Sequence, residues 1–242
     1  MTTRQYKILL EDEYFLIAEK ESGFLTIPDR YRPDIPNLYQ SLKLDYGDIY
    51  IVHRLDKGTS GLVCFAKTRE VHRVLNLQFE QRKPLKKYYA IVKGTPFIME
   101  GTINAGLAPN KVGGMHIDLK RGKSSITDYK VIESFRNFSL IEATILTGRT
   151  HQIRVHLKHL GYPLAVDEAY TQKEVLYLSE IKRKKFNLKK NTEERPLISR
   201  VPLHAYYLSF MHPVTNHKIT VESNLPKDMK ALLNQLRKWD RK

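Results

Sequence analysis

The apolar residues of this chain come in short runs that alternate with polar, glycine-containing or proline-containing stretches. Residues 62–66, with the sequence LVCFA, form one of the longest of these runs. Runs of this length suit short β-strands and fall far short of what a helix needs to cross a bilayer. Because strand patterns outnumber helix patterns, the sequence predicts an α+β fold with a central, mostly antiparallel sheet flanked by helices and loops.

Strand patterns recur along the chain, and most of them are short. Each is a run of β-branched, aromatic or aliphatic residues bounded by turn-forming or polar residues. Between residues 127 and 146, two such runs lie on either side of Arg136 and Asn137. The predicted strands lie within residues 6–17, 49–52, 62–66, 88–92 and 127–146.

Apolar residues recur at helical spacing in three segments. The first is residues 69–82, and the second is residues 153–160, after which Gly161 provides a stop. The third begins at about Pro226 and places four apolar side chains on one face. Residues 22–47 are rich in Pro, Tyr and Asp, and we expect them to form an extended loop.

The length of 242 residues fits one large domain or two small ones, and we expect a single domain over residues 1–242. Cys64 is the only cysteine, so neither an intrachain disulfide nor a cysteine-based zinc site can form. Its place in an apolar run predicts a small buried side chain. The first residues are charged and hold no apolar signal core, so we expect a cytoplasmic protein.

The chain is strongly basic, with 41 Lys and Arg residues against 26 Asp and Glu residues and a net charge of +15. Such a surface implies a polyanionic partner or an anionic membrane. No basic amphipathic helix with exposed aromatic residues is evident, which argues against the membrane. Residues 171–200 form a basic insertion or loop that contains KRKKFNLKK at 182–190. This segment is either a solvated surface or an arm that contacts phosphates.

Three partial motifs fail on spacing. The GKS sequence that starts at Gly122 would need a glycine where Ile117 stands to bind a nucleotide phosphate. A serine nucleophile at Ser60 would need a glycine in place of Leu62. The histidines in residues 151–159 lack metal-ligand spacing and a nearby carboxylate, so we expect no metal site there.

The segment HRLDKGTSG, residues 53–61, places a carboxylate in a cationic, glycine-containing loop. The charges of Arg54 and Lys57 favour the ionised form of Asp56, which suits a nucleophile or a base. The alternative is an aspartate that orders its own turn. Two later segments favour the functional interpretation, KKYYAIVKG at 86–94 and TGRTHQIRVHL at 147–157, because the second brings arginines to a helix start, where anions bind.

Together these segments resemble the RluA family of RNA pseudouridine synthases. HRLDKGTSG resembles the first signature of that family, Lys86, Tyr88 and Ala90 its K-x-Y-x-A pattern, and GRTHQIRVH its third signature. The likeness continues in GYPLAVDEAY and PLHAYYLSFMHP, in the expected order. The separate RNA-binding domain that many members carry before the catalytic segments is not seen in this sequence, so the chain resembles a short form.

The resemblance implies an isomerase that converts uridine in RNA to pseudouridine without a cofactor or a metal. Asp56 matches the catalytic aspartate, which attacks the ribose or the base, and Tyr88 matches the tyrosine that stacks on the target base. Arg154 matches the arginine that pairs with the aspartate, and Arg54 the residue that fills the space of the flipped base. Flipping costs a few kcal/mol, which stacking offsets. Alternatively, Tyr88 is a core aromatic, in competition with Tyr89 for the inward face.

The resemblance also implies that the partner is RNA, either ribosomal or transfer RNA, and a monomer would suffice for the chemistry. We expect the active-site cleft to lie between two halves of the domain and to be lined by Asp56, Tyr88 and Arg154. The alternative is a non-catalytic RNA-binding protein or chaperone on the same fold. Candidate RNA-binding residues are Arg54, Arg149, His151, Lys182, Arg183, Lys184 and Lys185.

Overall fold

The computed structural model consists of two compact units. Unit 1 comprises the chain up to Lys87 together with His204–Asn224. Unit 2 comprises Tyr88–Leu203 together with Leu225–Lys242. The structure describes residues 5–111, 113–182, 186–187 and 193–242.

Strands and helices alternate irregularly along the described residues. The strands are β1 (Tyr6–Glu11), β2 (Phe15–Lys20), β3 (Tyr50–Ile51), β4 (Ser60–Ala66), β5 (Leu85–Lys93), β6 (Glu100–Asn104), β7 (Leu107–Pro109), β8 (Met115–Ile117), β9 (Ile126–Ser134), β10 (Phe138–Ile145), β11 (Leu203–Met211) and β12 (Lys218–Glu222). The helices are α1 (Leu38–Tyr46), α2 (Arg69–Glu80), α3 (Gln152–His159), α4 (Glu168–Thr171), α5 (Leu178–Lys182) and α6 (Lys227–Trp239).

In unit 1, strands β1, β2, β4 and β11 lie side by side, with β3 also paired to β4 and β12 to β11. All of these pairs are antiparallel except β4 with β11, in which His204 lies opposite Ser60. The apolar side chains of this sheet pack against α2, which begins at the side-chain cap of Thr68. The core of unit 1 contains Phe15, Ile17, Leu62, Cys64, Ala66, Val71, Leu75, Leu208, Phe210 and Val221.

In unit 2, strands β5, β10, β9 and β6 are neighbours in the sheet, and β7 pairs with β8 in a separate hairpin. Strand β9 pairs antiparallel with β10, its neighbour in the predicted pair of strands, and also with β6, which was not predicted. Helix α6 buries its apolar face here. The core contains Ile91, Phe135, Phe138, Leu140, Ala165, Val166, Leu176, Ile181, Ile198, Met229, Leu232, Leu233 and Leu236.

The three predicted helices are confirmed as α2, α3 and α6, whereas the prediction of a loop over residues 22–47 is partly wrong. Residues Leu38–Tyr46 form α1, which buries Leu38 and Leu42. The Asn37 side chain caps this helix by accepting a hydrogen bond from the Gln40 backbone N–H. The sequence did not indicate this helix, because the segment is polar and only two positions of the helix are buried.

The predicted insertion over residues 171–200 is only partly a surface loop. Leu176, Ile181 and Ile198 lie in the core of unit 2, and the backbones of Leu176 and Ile198 pair as a β-bridge. The stretch between these residues includes α5, whose Lys182 packs over the ring of Trp239 with 4.4 Å from Nζ to the ring centroid. Part of this segment is therefore built into the fold.

Candidate active site

The Asp56 loop, residues 52–59, connects β3 to β4 and is fixed through its backbone. The Leu55 carbonyl accepts a hydrogen bond of 2.8 Å from the Thr26 hydroxyl, and the Asp56 carbonyl accepts one from the Thr59 N–H. The Lys57 carbonyl accepts from the Gly23 N–H at 2.8 Å. Because successive carbonyls are held in this way, the half-buried Asp56 side chain is presented from an ordered loop.

A fully buried lysine completes this support. The Lys20 ammonium donates to the carbonyls of Phe24 at 2.7 Å, Glu21 at 2.9 Å and Lys57 at 3.3 Å. A hydroxyl of the same segment, that of Ser22, donates to the Gly58 carbonyl at 2.7 Å. The segment that follows β2 therefore holds the Asp56 loop from one side.

The end of the Asp56 loop enters β4 through a glycine that has no room for a side chain. Gly61 has a φ of +120°, and a Cβ atom there would lie 2.2 Å from the Ala205 carbonyl oxygen. Both the left-handed backbone and the close approach of β11 require glycine at this position. The GTSG sequence thus serves strand packing, which agrees with the rejection of a serine nucleophile elbow.

The residues at the start of the Asp56 loop differ in exposure. His53 stacks on Phe79 with 5.0 Å between ring centroids, and its Nε2 accepts a hydrogen bond from the Cys64 N–H. Desolvation, together with the positive charge of Lys86, lowers the pKa of His53 to about 3, so the ring is neutral at pH 7. Arg54 is exposed, as a residue that contacts RNA would have to be.

The two tyrosines of β5 lie on opposite faces of the strand, as the alternation of side chains requires. Tyr89 packs against the core of unit 2. Tyr88 is 7% exposed and projects from the other face. Tyr89 is therefore the residue that faces the core of unit 2, and the role of Tyr88, which is the more buried of the two, stays a prediction.

Helix α3 begins at a left-handed residue and is anchored by the buried Gln152. His151 has a φ of +54°, which is uncommon for a non-glycine residue. The Gln152 side-chain oxygen accepts from the Thr147 hydroxyl and from the Arg149 N–H, while its amide donates to Ile126 and Thr127 on β9. These four bonds fix the start of α3 on the sheet of unit 2.

Arg154 lies one turn into α3 and is 8% exposed. Its Nε and one terminal nitrogen donate to the two carboxylate oxygens of Asp167 at 2.8 and 2.7 Å. The guanidinium also lies over the ring of Tyr170, 4.9 Å from the centroid. A paired guanidinium of this kind keeps its charge and its orientation when it is buried. The predicted pair with Asp56 joins residues of different units and stays a prediction.

The predicted RNA-binding residues of unit 2 are placed in two regions. Arg149 is exposed just before α3, and the side chain of His151 is bonded to the Tyr170 hydroxyl at 2.7 Å through Nδ1. Lys182 is half-buried against aromatic rings at the end of α5. The remaining three, Arg183, Lys184 and Lys185, lie outside the described residues.

A sequence model of the family described as RNA pseudouridylate synthase matches residues 14–159, more than half of the chain. This chain belongs to the RNA pseudouridylate synthase family. The matched range includes Asp56, Tyr88 and Arg154. The resemblance to this class of enzyme that the sequence indicated is thereby confirmed.

Named relatives agree with the family assignment. The chain is 34% identical over 242 residues to the ribosomal large subunit pseudouridine synthase D of Zymomonas mobilis. This alignment covers 95% of this chain and 72% of the Zymomonas protein. The chain is 32% identical over 217 residues to the dual-specificity RNA pseudouridine synthase RluA of Salmonella typhi, covering 88% of this chain and 90% of that protein. The chain is accordingly an isomerase that forms pseudouridine in RNA.

A solved structure confirms the predicted fold class. The human protein named RNA pseudouridylate synthase domain containing 4 matches this chain with a TM-score of 0.74 and 23% sequence identity. The match covers 95% of this chain and 92% of the human chain. Within the described residues, no helix of this synthase is long and apolar enough to span a membrane. The same residues contain no group of three or more potential metal-binding His, Cys, Asp or Glu side chains.

Three residues of the site were missed from the sequence. Lys20 supports the Asp56 loop, and Asp167 and Tyr170 hold Arg154. Asp167 and Tyr170 stand in the segment GYPLAVDEAY, which resembled the family without pointing to a role. The signal that could have identified them is visible only in the fold: Asp167 is buried beside Arg154, and the ring of Tyr170 lies under its guanidinium.

Proposed function

We propose that this synthase modifies uridine in ribosomal or transfer RNA and that Asp56 is its catalytic carboxylate. In the proposed reaction, Asp56 attacks either the ribose C1′ or the base, and the bond between C1′ and N1 breaks. The base then turns, a bond forms between C1′ and C5, and the bond to Asp56 breaks. C5 loses its proton and N1 takes one up, so that the product has the same composition as the substrate. The reaction is an isomerisation, so its atoms balance without a co-reactant.

The observation that carries this proposal is the support of the Asp56 loop. The carbonyls of Leu55, Asp56, Lys57 and Gly58 each accept a hydrogen bond, so the loop leaves little freedom to the carboxylate between them. A nucleophile gains most when it is held close to its attack geometry before substrate binds. A carboxylate that merely orders its own turn would not need this external support.

Tyr88 and Arg154 are proposed to act with Asp56. Tyr88 projects from the face of β5 that is turned away from the core of unit 2, which suits stacking on an extruded base. The bidentate pair with Asp167 orients the Arg154 guanidinium, which suits the charge that holds the Asp56 carboxylate. The convergence of these three residues in one cleft, and a single catalytic domain over 1–242, remain part of the proposal.

The proposed RNA contacts are sorted by exposure. Arg54 and Arg149 are exposed, so each can reach a phosphate or fill the place of a flipped base. For His151 and Lys182 the proposal is weaker, because their side chains contact aromatic residues of the same unit. The proposed class of RNA follows from the names of the relatives, which include a ribosomal enzyme and a dual-specificity enzyme.

The proposal is tested by Asp56→Asn, which keeps the size of the side chain and removes its charge. Pseudouridine formation on uridine-containing RNA should fall by several orders of magnitude, while the affinity for the RNA stays within about threefold of the wild type. Asp48→Asn, at an exposed aspartate outside the Asp56 loop, is the matched control and should keep full activity. Wild-type turnover by Asp56→Asn would refute the catalytic role.

The substrate class is tested separately by mapping pseudouridine across all cellular RNA with and without the gene. Sites that disappear in ribosomal or transfer RNA, and return with the wild-type enzyme but not with Asp56→Asn, support the assignment. Disappearance only from messenger RNA would contradict it. A binding protein without catalysis would leave the map unchanged.

A further inference from the structure

Four side chains of unit 1 form a continuous hydrogen-bonded chain that the proposed mechanism does not use. Ser60 Oγ lies 2.9 Å from His204 Nδ1, and His204 Nε2 lies 3.1 Å from Ser223 Oγ. The Ser223 hydroxyl donates in turn to a carboxylate oxygen of Glu19. We name these residues the His204 chain, and they come from β4, β11, the end of β12 and β2.

The His204 chain runs from the interior of unit 1 to its surface. His204 is fully buried, and Ser60 and Ser223 are 4% and 7% exposed. Glu19 is half-buried and lies 3.7 Å from the ammonium of Lys7, whose side chain is largely exposed. Hydrogen bonds in such a dry environment are strong when they are made and costly when one partner is removed.

The polarity of the chain follows from the carboxylate at its outer end. The Glu19 carboxylate can only accept, so the Ser223 hydroxyl donates to it and must accept from His204 Nε2–H. A neutral ring that carries its proton on Nε2 has an acceptor at Nδ1, to which the Ser60 hydroxyl donates. Glu19 thereby fixes the tautomer of His204 and the direction of the Ser60 hydroxyl.

Ser60 is the residue that follows the Asp56 loop. Its neighbour Thr59 donates its N–H to the Asp56 carbonyl at 3.1 Å, so a shift of Ser60 is passed to Asp56 through a single turn. On the other side of Ser60, Gly61 is pressed against Ala205 with no space for adjustment. The segment that follows Asp56 is therefore held by the His204 side chain on one residue and by backbone contact on the next.

We propose that His204 is a positioning residue for Asp56 and that the His204 chain, anchored at Glu19, sets the orientation of the carboxylate loop. The proposal rests on the assignment of Asp56 as the catalytic carboxylate. It assigns no contact with RNA to any member of the chain. The expected effect of breaking the chain is thus on kcat, with KM for the RNA unchanged.

The first test compares His204→Leu with His212→Leu. His212 is a matched control because it is also a buried histidine of unit 1 with hydrogen bonds through its ring. Its Nε2 is bonded to the Asp12 carboxylate, and it has no link to the Asp56 loop in the described contacts. His204→Leu should lower kcat ten- to a hundredfold with KM within twofold, because small displacements of a catalytic group have effects of this size. His212→Leu should lower the melting temperature and leave kcat unchanged. Equal losses of kcat in both variants would overturn the proposal.

The second test uses Ser223→Ala, which is a small change and has no contact with the loop. It removes the acceptor of the Nε2 proton, so that the His204 ring can carry its proton on Nδ1 and turn the Ser60 hydroxyl around. We expect kcat to fall about three- to tenfold, within the range of couplings carried by such networks. In the double variant with Ser60→Ala, the two losses should not multiply, because both break the same chain. Independent, multiplying losses would contradict a common chain.

A readout that is independent of activity separates this proposal from the proposed function. Amide hydrogen exchange should rise in residues 54–60 of His204→Leu and Ser223→Ala, and should stay at the wild-type level there in His212→Leu. Unchanged exchange in residues 54–60 overturns the positioning role, whatever Asp56→Asn does. Faster exchange together with full activity of Asp56→Asn would uphold the positioning of the loop and refute its catalytic use.

Discussion

Lys20 has no exposed surface, and its ammonium group remains in the interior of unit 1 because carbonyl oxygens replace water around it. One of these carbonyls belongs to Lys57, next to the proposed catalytic residue. The cation is thus held by the loop that it stabilises. The binding of this ammonium group by carbonyls depends on the tertiary fold, so no local sequence pattern around Lys20 indicates it.

The candidate residues of the site could be proposed from sequence because each stands in a short motif. Asp56, Tyr88 and Arg154 were identified in this way, and all three lie in the range that the family model matches. Asp167 could not be identified from the sequence, because it lies thirteen residues from Arg154. Its bidentate hydrogen bond to Arg154 depends on how the chain returns after α3. A motif specifies residue types at fixed spacing, whereas a buried ion pair is specified by the path of the backbone.

His53 makes the stability of the enzyme depend on pH in the acidic range. Its pKa is about 3 in the folded protein and 6.5 in an ordinary environment, so the unfolded chain binds a proton that the folded protein excludes. The stabilisation is complete above pH 6.5 and is lost as the pH falls towards 3. The loss amounts to about 3 kcal/mol after allowance for partial exposure of the ring.

His53→Gln keeps an acceptor for the Cys64 N–H and removes the titration. The free energy of unfolding of this variant should therefore fall less than that of the wild type between pH 6.5 and 3.5, as measured by urea denaturation. His116→Gln, at an exposed histidine, should follow the wild type. Parallel curves for His53→Gln and the wild type would show that folding does not lower the pKa of His53.

At the level of secondary structure, the helices with one strongly apolar face were predicted, whereas the largely buried strand β11 and several short strands with few buried residues were not. Helix α6 buries Met229, Leu232, Leu233 and Leu236 at regular spacing, so the sequence indicated it clearly. Strands β6–β8 were missed because their residues are partly exposed and the strands are short. Their stability comes from pairing with β9 and with each other, which the chain order alone does not show.

The short helix α5 tests whether the segment that was predicted as an insertion supports the fold. Ile181 is 5% exposed in the core of unit 2, beside α6. Ile181→Ala should lower the free energy of unfolding by about 2–4 kcal/mol, as expected for a large side chain that is removed from a core. Ile132→Ala, at a position that is 46% exposed, should cost less than about 1 kcal/mol in the same chemical denaturation experiment. A similar small loss for both would mean that α5 is not required for stability.

For the molecule as a whole, the net charge predicted the class of partner but could not predict which surface binds it. A net charge of +15 on 242 residues implied a polyanion, and membership in the family confirms RNA. The sum of charges, however, does not say which of the basic residues face the RNA. Several are used internally, such as Arg200, which is paired with Asp228, and Arg237, which is paired with Glu133.

The basic run at 182–190 allows the contributions of net charge and of position to be separated. We replace Arg183, Lys184 and Lys185 by Gln. If this run contacts phosphates, the slope of log affinity against log salt concentration should become less steep by about 2, because each lost phosphate contact reduces the slope by about 0.7–0.9. A triple variant with the same change in net charge, Lys43, Lys227 and Lys230 to Gln at exposed positions, should leave the slope nearly unchanged. The rate at saturating RNA should stay the same in both variants, because both leave the sequence at Asp56, Tyr88 and Arg154 unchanged. An equal flattening in the two triple variants would mean that RNA responds to the total charge of the molecule, and no flattening in the first would make the run a solvated surface.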